Sequence, residues 1–293
     1  MQSWRVVKLP LGMTLILACL TPTHVFLVSD RRLTSLNGPS PGSIIEEDSN
    51  KAVIYEGHVA FGYTGLAELS GDRTDLWLAK TLGEAPDKRL PLPFEHLRSE
   101  ATKEFRALTI DRRYRRHAFL GVGWTVPGPS EELVATSVLV ENMYDVRGRV
   151  LDDPQEEFKM RVEVHRKVKN GFRLQSVGAT VNPGQRNAIL RFVGRPVKRQ
   201  APQAILRALL ISVRWMADYH PTVGRTLMGL CVPKAAVQRI AATGQTFTLF
   251  GSTAATDISW FVYLGPDGST TYYGPTSVGG GWVMSNPTVK VGS

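Results

Sequence analysis

Two apolar runs separated by a short turn lie near the start of the chain, and they restrict most strongly how it can fold. The first covers residues 13–19 and the second covers residues 24–30, with Thr21-Pro22-Thr23 between them. Runs of this length, bounded by turn-forming residues, are typical of buried β-strands. A membrane helix would need about 20 consecutive apolar residues, more than either run has. The pattern therefore predicts a hairpin of core strands.

A secretion signal is a second interpretation of the same segment. Arg5 and Lys8 precede the apolar residues 9–20, and residues 16–19 resemble a bacterial lipoprotein cleavage site at Cys19. Under this interpretation the protein is exported, periplasmic or lipid-anchored. The apolar pattern resumes directly after the turn, and only two cysteines occur. These observations favour the core hairpin and a cytoplasmic protein with no membrane partner.

Further along the chain, strand-like and helix-like segments alternate in pairs. Strands are predicted at residues 13–19, 24–30, 51–55, 59–64, 117–125, 133–141, 158–168, 172–181 and 223–232. Helices are predicted at residues 66–82, 94–108, 204–217 and 235–242, and more strands between residues 246 and 274. Such an order predicts a layered α+β domain. No break in composition divides it, so we expect one domain over 14–245 and a strand-rich extension over 246–293.

Charge and composition exclude several function classes. The formal net charge is +9, but the densest basic run, residues 112–116, contains one aromatic residue and follows a predicted helix. Cations favour the C-terminal end of a helix, so we interpret this run as a solvated face or a helix end. No nucleic-acid-binding motif accompanies it, and no nucleic-acid partner is expected. The two cysteines and six histidines show no metal-ligand spacing, and we expect neither a metal nor a cofactor.

Four residues at predicted strand ends meet the requirements of a threonine nucleophile. A threonine hydroxyl needs a base, and its own α-amine can act as that base when the threonine is N-terminal. An ammonium group then favours deprotonation, a carboxylate orients the ammonium, and a backbone N–H stabilises the oxyanion. The chain has these elements in order: Thr14 opening the first strand, Asp30 ending the second, Lys51 opening the third, and Gly65 between the fourth strand and a helix.

On these residues the chain resembles the proteasome β-subunit family and its simpler bacterial relatives. The opening strand with Thr14, the position of Asp30 and the stretch from Lys51 to Gly65 follow the family pattern without gaps, most clearly over residues 13–82. The resemblance implies a four-layer αββα sandwich of the N-terminal-nucleophile (Ntn) hydrolase type. It also implies cleavage of amide bonds, in peptides by preference, through an acyl-enzyme intermediate on Thr14. Assembly into a homo-oligomeric ring is a further expectation from the resemblance.

Two later motifs depart from the family pattern. The family's Ser-Gly-Ser is replaced by Gly178-Ala179-Thr180, and its Asp-x-x-Ser-Gly is replaced by His220-Pro221-Thr222-Val223-Gly224. In the family these groups position the threonine amine and a water molecule, and Asp218 or Thr222 are the candidates to substitute for them here. The differences keep an alternative open, in which the protein is a catalytically inactive structural or binding member of the same fold.

The proposed base also requires that the nitrogen of Thr14 be a free amine. As written, Thr14 follows Met13, and an amide nitrogen cannot act as the base. Residues 1–13 are therefore interpreted as a propeptide or as a mis-assigned start. Translation from Met13, followed by removal of that methionine, would expose Thr14 directly.

Overall fold

The protein combines five α-helices with several β-sheets in the part of the chain that the structure describes. This computed structural model describes residues 14–34, 44–46, 49–87, 90–126, 132–145, 147–166 and 171–243, and short strands within 261–289. The predicted segment 1–13 and the predicted turn at 266–268 lie outside the described residues. The helices are α1 (Thr74–Glu84), α2 (Leu92–Ala107), α3 (Pro183–Lys198), α4 (Pro202–Met216) and α5 (Lys234–Thr243).

Eighteen strands are described, and most of them belong to two large sheets. The strands up to the first helix are β1 (Leu15–Leu20), β2 (His24–Asp30), β3 (Leu33–Thr34), β4 (Ile44–Glu46), β5 (Ala52–Tyr55), β6 (Val59–Thr64), β7 (Glu68–Leu69) and β8 (Asp72–Arg73). The next are β9 (Ala118–Thr125), β10 (Val134–Glu141), β11 (Lys159–His165), β12 (Arg173–Gly178) and β13 (Leu227–Pro233). The last are β14 (Phe261–Leu264), β15 (Thr270–Tyr273), β16 (Thr276–Gly279), β17 (Trp282–Met284) and β18 (Thr288–Val289).

The two large sheets each contain seven strands. The first has the order β12-β1-β2-β13-β14-β15-β18, and the second has the order β11-β10-β9-β6-β5-β16-β17. The predicted N-terminal hairpin is confirmed, because β1 and β2 pair antiparallel with Ile16 opposite Ser29. The described strands beyond residue 245 join both sheets, since β14 pairs with β13 and β16 pairs with β5. The division of the chain into a domain and an extension stays a prediction.

Apolar side chains cover both faces of β1, because successive residues of a strand point to opposite sides. Ile16 and Ala18 belong to a buried cluster that joins the first sheet to the second. Leu15 and Leu17 belong to another cluster, which joins the first sheet to α3 and α4. A third cluster joins the second sheet to α1 and α2. Burial on both faces explains why β1 is a continuous apolar run rather than an alternating one.

The helix predicted at residues 66–82 is wrong over its first part. Residues 68–73 form the short hairpin of β7 and β8, and α1 begins only at Thr74. Ser70 and Gly71 form the turn with positive φ values of 50° and 78°. Consecutive positive φ values belong to tight hairpin turns and are incompatible with a right-handed helix.

Helix α3 was not predicted, although its start carries a recognisable signal. The side chain of Asn182 accepts a hydrogen bond from the backbone N–H of Gln185, and Gln185 bonds back to the Asn182 backbone. This capping box, with Pro183 in the first turn, is typical of a helix N-terminus. The buried residues Ile189, Val193 and Val197 then recur every fourth position.

The basic run at residues 112–116 lies beyond the end of α2 at Ala107, and its first part, Arg112–Tyr114, forms a short 3₁₀ turn. The Arg115 guanidinium donates to the carbonyl oxygen of Phe105 at 3.3 Å and to that of Ile110 at 3.0 Å. Arg112 donates to the carbonyl oxygen of Pro154 at 3.0 Å. These cations therefore bind backbone acceptors at and beyond the C-terminal end of the helix. No helix within the described residues has the length and apolar character needed to span a membrane.

Candidate active site

Three of the four predicted site residues meet in a buried cluster. The Lys51 Nζ donates to the Thr14 hydroxyl oxygen, and it lies 3.3 Å from Asp30 Oδ1. The exposed fraction is 6% for Thr14, 0% for Asp30 and 1% for Lys51. The hairpin places Thr14 near Asp30, since the start of β1 and the end of β2 are neighbours. Lys51 directly precedes β5 and reaches them from the second sheet.

Asp30 is fixed by the backbone of three segments. Its carboxylate accepts hydrogen bonds from the N–H of Leu15 at 2.9 Å and of Arg32 at 3.0 Å, and a third from the N–H of Gly224. Burial raises the pKa of the Asp30 carboxyl, while the Lys51 ammonium and the three N–H groups act to lower it. These contacts hold the carboxylate in one orientation against the Lys51 ammonium, as a positioning role requires.

The carbonyl group of Thr14 is held from the opposite side. Its oxygen accepts a hydrogen bond from the Ala179 N–H at 3.0 Å, and the Thr64 hydroxyl lies 3.3 Å away. Gly178 has a φ of 98°, and a Cβ atom at this position would lie 1.8 Å from the Thr14 oxygen. Only glycine fits there. Thr64 and Gly178 were missed as site residues, because neither pairing is visible in local sequence patterns.

Gly65 follows Thr64 directly and therefore lies next to the cluster. Its φ is 120°, and an added Cβ would meet the Arg116 carbonyl oxygen at 2.4 Å and His117 Nδ1 at 2.5 Å. The next N–H, that of Leu66, donates to His117 Nδ1 at 3.1 Å. The expectation that a helix follows Gly65 is wrong, since β7 and β8 come between it and α1.

His117 is suited to accept that hydrogen bond because it is neutral. Burial lowers the pKa of His117 to about 3, so the imidazole is neutral at pH 7. A neutral imidazole has one nitrogen without a proton, and here Nδ1 is the nitrogen that accepts. Its ring stacks on Tyr63 with centroids 5.9 Å apart. The backbone after β6 is thus anchored to a rigid aromatic side chain.

Asp218, one of the two residues considered as substitutes for the missing family groups, lies at the surface. It pairs with Arg225. The loop that follows Asp218 nonetheless borders the site. The Gly224 N–H donates to Asp30, and the Arg31 N–H donates to the Thr226 carbonyl oxygen at 2.9 Å. The strand predicted at 223–232 begins only at Leu227. Within the described residues, no group of three or more His, Cys, Asp or Glu side chains is placed to hold a metal ion.

Tyr144 supports the Thr14 backbone through Gly178, and this contact gives a first prediction. The Tyr144 hydroxyl accepts a hydrogen bond from the Gly178 N–H at 3.0 Å, and burial raises the pKa of Tyr144 to about 12. Tyr144→Phe would leave the buried N–H without its acceptor, which costs about 1–3 kcal/mol. We expect the free energy of unfolding, measured in urea, to fall by that amount. Tyr219→Phe, at an exposed tyrosine, is the control, and equal midpoints for both variants would contradict the prediction.

The chain is similar to solved structures, but no protein-family model matches its sequence. No curated protein matches it either. Eukaryotic HslV from Trypanosoma brucei is similar over 75% of this chain and 99% of that chain, with 13% sequence identity and a TM-score of 0.37. A similarity at this level establishes neither the fold nor the function, so we infer the function from the contacts around Thr14.

Proposed function

We propose that the protein hydrolyses amide bonds, in peptides by preference, with Thr14 as an N-terminal nucleophile. The observation that supports this most directly is the buried hydrogen bond from Lys51 Nζ to the Thr14 hydroxyl. A buried ammonium beside a hydroxyl stabilises the alkoxide and so makes the oxygen a better nucleophile. The Lys51 ammonium has three donors, and it also donates to Asp30 Oδ1 and the Arg32 carbonyl oxygen, so the group is held in place while one donor points at the hydroxyl.

The reaction begins once Thr14 is the first residue of the chain. Its α-amine takes the proton of the hydroxyl while the oxygen attacks the amide carbon, and the Lys51 ammonium stabilises the developing negative charge. The backbone N–H of Gly65 is our candidate for binding the oxyanion of the tetrahedral intermediate. The protonated amine then gives its proton to the leaving nitrogen, which leaves an ester on Thr14. Water hydrolyses that ester and restores the hydroxyl.

The proposed architecture is the four-layer αββα arrangement of Ntn hydrolases. It is supported by apolar clusters on both faces of each central sheet, with α1 and α2 against one sheet and α3 and α4 against the other. By the same family resemblance we propose a domain over residues 14–245, removal of residues 1–13, and self-association into a homo-oligomeric ring in the cytoplasm.

Two alternative functions differ in what they require of the N-terminal strand. An inactive protein of the same fold is favoured by Ala179, which contacts Thr14 through its backbone and adds no hydroxyl to the site. An exported protein whose mature chain begins at Cys19 would lack Thr14 and most of β1. Cys19 is fully buried and is the last residue but one of β1, so such a chain would lose most of a paired core strand.

The mature N-terminus and its reactivity test the proposal together. We expect the intact mass of the natural protein to correspond to a chain that starts at Thr14. A threonine-directed electrophile should then add once, at Thr14, and the rate of labelling should rise as the pH increases through the α-amine pKa, near 8, because only the neutral amine is a base. Protein held with residues 1–13 attached is the control and should not react. A chain that starts at Thr14 and resists the electrophile would favour the inactive alternative.

A further inference from the structure

The C-terminal part of the chain contributes a buried threonine next to the segment that carries Lys51. Strand β16 pairs in parallel with β5, and Thr276 lies opposite Val53. The exposed fraction of Thr276 is 0%. The pairing is continued by the Glu56 N–H, which donates to the Val278 oxygen at 2.8 Å. The proposed catalytic residues lie between Thr14 and Gly65, so the proposed function does not explain why a strand from residues 276–279 lies here.

Thr276 takes part in a buried polar cluster with Asn50 and Asp75. The Thr276 hydroxyl donates to Asp75 Oδ2 at 2.7 Å and accepts from Asn50 Nδ2 at 2.8 Å. Asn50 Nδ2 also lies 3.0 Å from Asp75 Oδ2. Asp75 is fully buried, and Asn50 is 5% exposed. One hydroxyl therefore serves as a donor to a buried carboxylate and as an acceptor for a buried amide.

Asn50 links this polar cluster to Lys51, because its side chain bonds to the backbone of Ala52, the residue that follows the lysine. Asn50 Oδ1 accepts from the Ala52 N–H at 3.3 Å, and Asn50 Nδ2 lies 3.2 Å from the Ala52 oxygen. The Tyr63 hydroxyl donates to the main-chain carbonyl oxygen of Asn50 at 3.2 Å. The residues on either side of Lys51 are thus bonded to each other, and the backbone from which the lysine extends is fixed.

We propose that Thr276 is a positioning residue for Lys51, and that strand β16 completes the catalytic site from the C-terminal part of the same chain. The proposal rests on the proposed function, since it assigns a task to the Lys51 ammonium. The Thr276 hydroxyl bonds to Asn50 and Asp75. It acts through Asn50, whose orientation depends on the Thr276 hydroxyl and on the Asp75 carboxylate.

Arg73 does not make the Thr276 hydroxyl redundant. It binds both oxygens of Asp75, at 3.0 Å and 2.7 Å, but it has only donors and cannot accept from the Asn50 amide. Without the hydroxyl, Asn50 loses an acceptor and Asp75 loses a donor in a site closed to water. Buried polar groups that lose a partner rearrange to find another. A small shift of Asn50 moves Lys51, and small displacements of a catalytic group reduce rates strongly.

Three variants separate positioning from a general loss of stability. Thr276→Val removes the hydroxyl and keeps the shape, whereas Thr276→Ser keeps the hydroxyl. We expect Thr276→Val to lower kcat about tenfold, with KM within about twofold, and Thr276→Ser to keep kcat near wild type. Thr136→Val is the matched control, because it removes a buried hydroxyl whose partner is Thr125, at 2.6 Å. Equal kcat values for Thr276→Val and Thr136→Val would overturn the proposal.

A measurement that does not need activity distinguishes failure of this proposal from failure of the proposed function. In protein labelled with ¹³C at lysine Cε, the Lys51 resonance is assigned by its loss in Lys51→Arg. We expect it to shift in Thr276→Val and to stay unchanged in Thr136→Val. An unmoved resonance in Thr276→Val would overturn the positioning role, whatever the activity. A shifted resonance in a protein that starts at Thr14 and hydrolyses nothing would support the positioning role and reject the hydrolase.

Discussion

Thr14→Ala abolishes hydrolysis, in our expectation, while the protein remains folded. The variant loses the attacking oxygen, and neither Lys51 nor the α-amine can replace it. Removing the nucleophile from a site of this kind typically lowers kcat by about 10⁴-fold or more. Thr14 lies just before β1, so replacing its side chain by a methyl group leaves the strand pairing in place, although the buried Lys51 ammonium loses one acceptor. The test is the rate of cleavage of fluorogenic peptides by wild type and variant, both beginning at residue 14.

Thr14→Ser is the matched comparison for this variant. Serine keeps the hydroxyl and the α-amine, so the same proton transfer remains available, and we expect part of the activity to be retained. Far-ultraviolet circular dichroism should be the same for all three proteins, and the thermal midpoint should fall in Thr14→Ala, because the Lys51 ammonium loses an acceptor, more than in Thr14→Ser. Full hydrolysis by Thr14→Ala would reject Thr14 as the nucleophile, even if Thr14→Ser were equally active.

The central cluster could be predicted from the order of residues along the chain, because strand ends determine which residues meet. A short hairpin places the start of its first strand beside the end of its second, which brings Thr14 and Asp30 together. Lys51 lies directly before β5 in the second sheet, and a lysine side chain is long enough to reach a facing sheet. In each case the relevant distance along the chain is short or is spanned by regular structure.

The supporting contacts could not be predicted, because they join segments that no local pattern relates. Gly178 contacts the Thr14 oxygen, and Tyr144 bonds to Gly178 from a different strand pair. Thr276 reaches Asn50 across 226 positions of sequence. Such contacts depend on how the sheets stack, and the sequence of each strand is compatible with many stackings. A glycine is the one local signal, since it tolerates positive φ and allows another backbone to come close.

Helix α3 and the hairpin of β7 and β8 show a different kind of failure, in which a local signal existed. The Asn182-to-Gln185 capping box marks the start of α3, but Pro196 inside the helix argues against one. At Ser70 and Gly71, the leucine spacing on either side favours a helix that the turn interrupts. In both places two local preferences conflict, and tertiary packing determines the outcome.

Lys51→Met should remove activity and also destabilise the fold. Methionine has a length similar to lysine and no charge, so the variant leaves Asp30 buried without its ammonium partner. Breaking a buried ion pair on one side typically costs about 3–5 kcal/mol. We therefore expect the free energy of unfolding, measured in urea at pH 7, to fall by that amount, and cleavage of peptides to fall by about a hundredfold or more.

The pH dependence and a double variant distinguish this mechanism from simple loss of packing. Burial already raises the pKa of Asp30, and Lys51 opposes that rise, so Lys51→Met raises the folded-state pKa further above the unfolded value. The folded variant then binds a proton more tightly than the unfolded chain, and its stability decreases as the pH rises from about 4 through the folded-state pKa. The deficit relative to wild type should accordingly be smallest in acid. Asp30→Asn combined with Lys51→Met removes the uncompensated charge, so it should recover stability at pH 7 and remain inactive. A deficit independent of pH, or a double variant no more stable than Lys51→Met, would show that the ion pair has no such role.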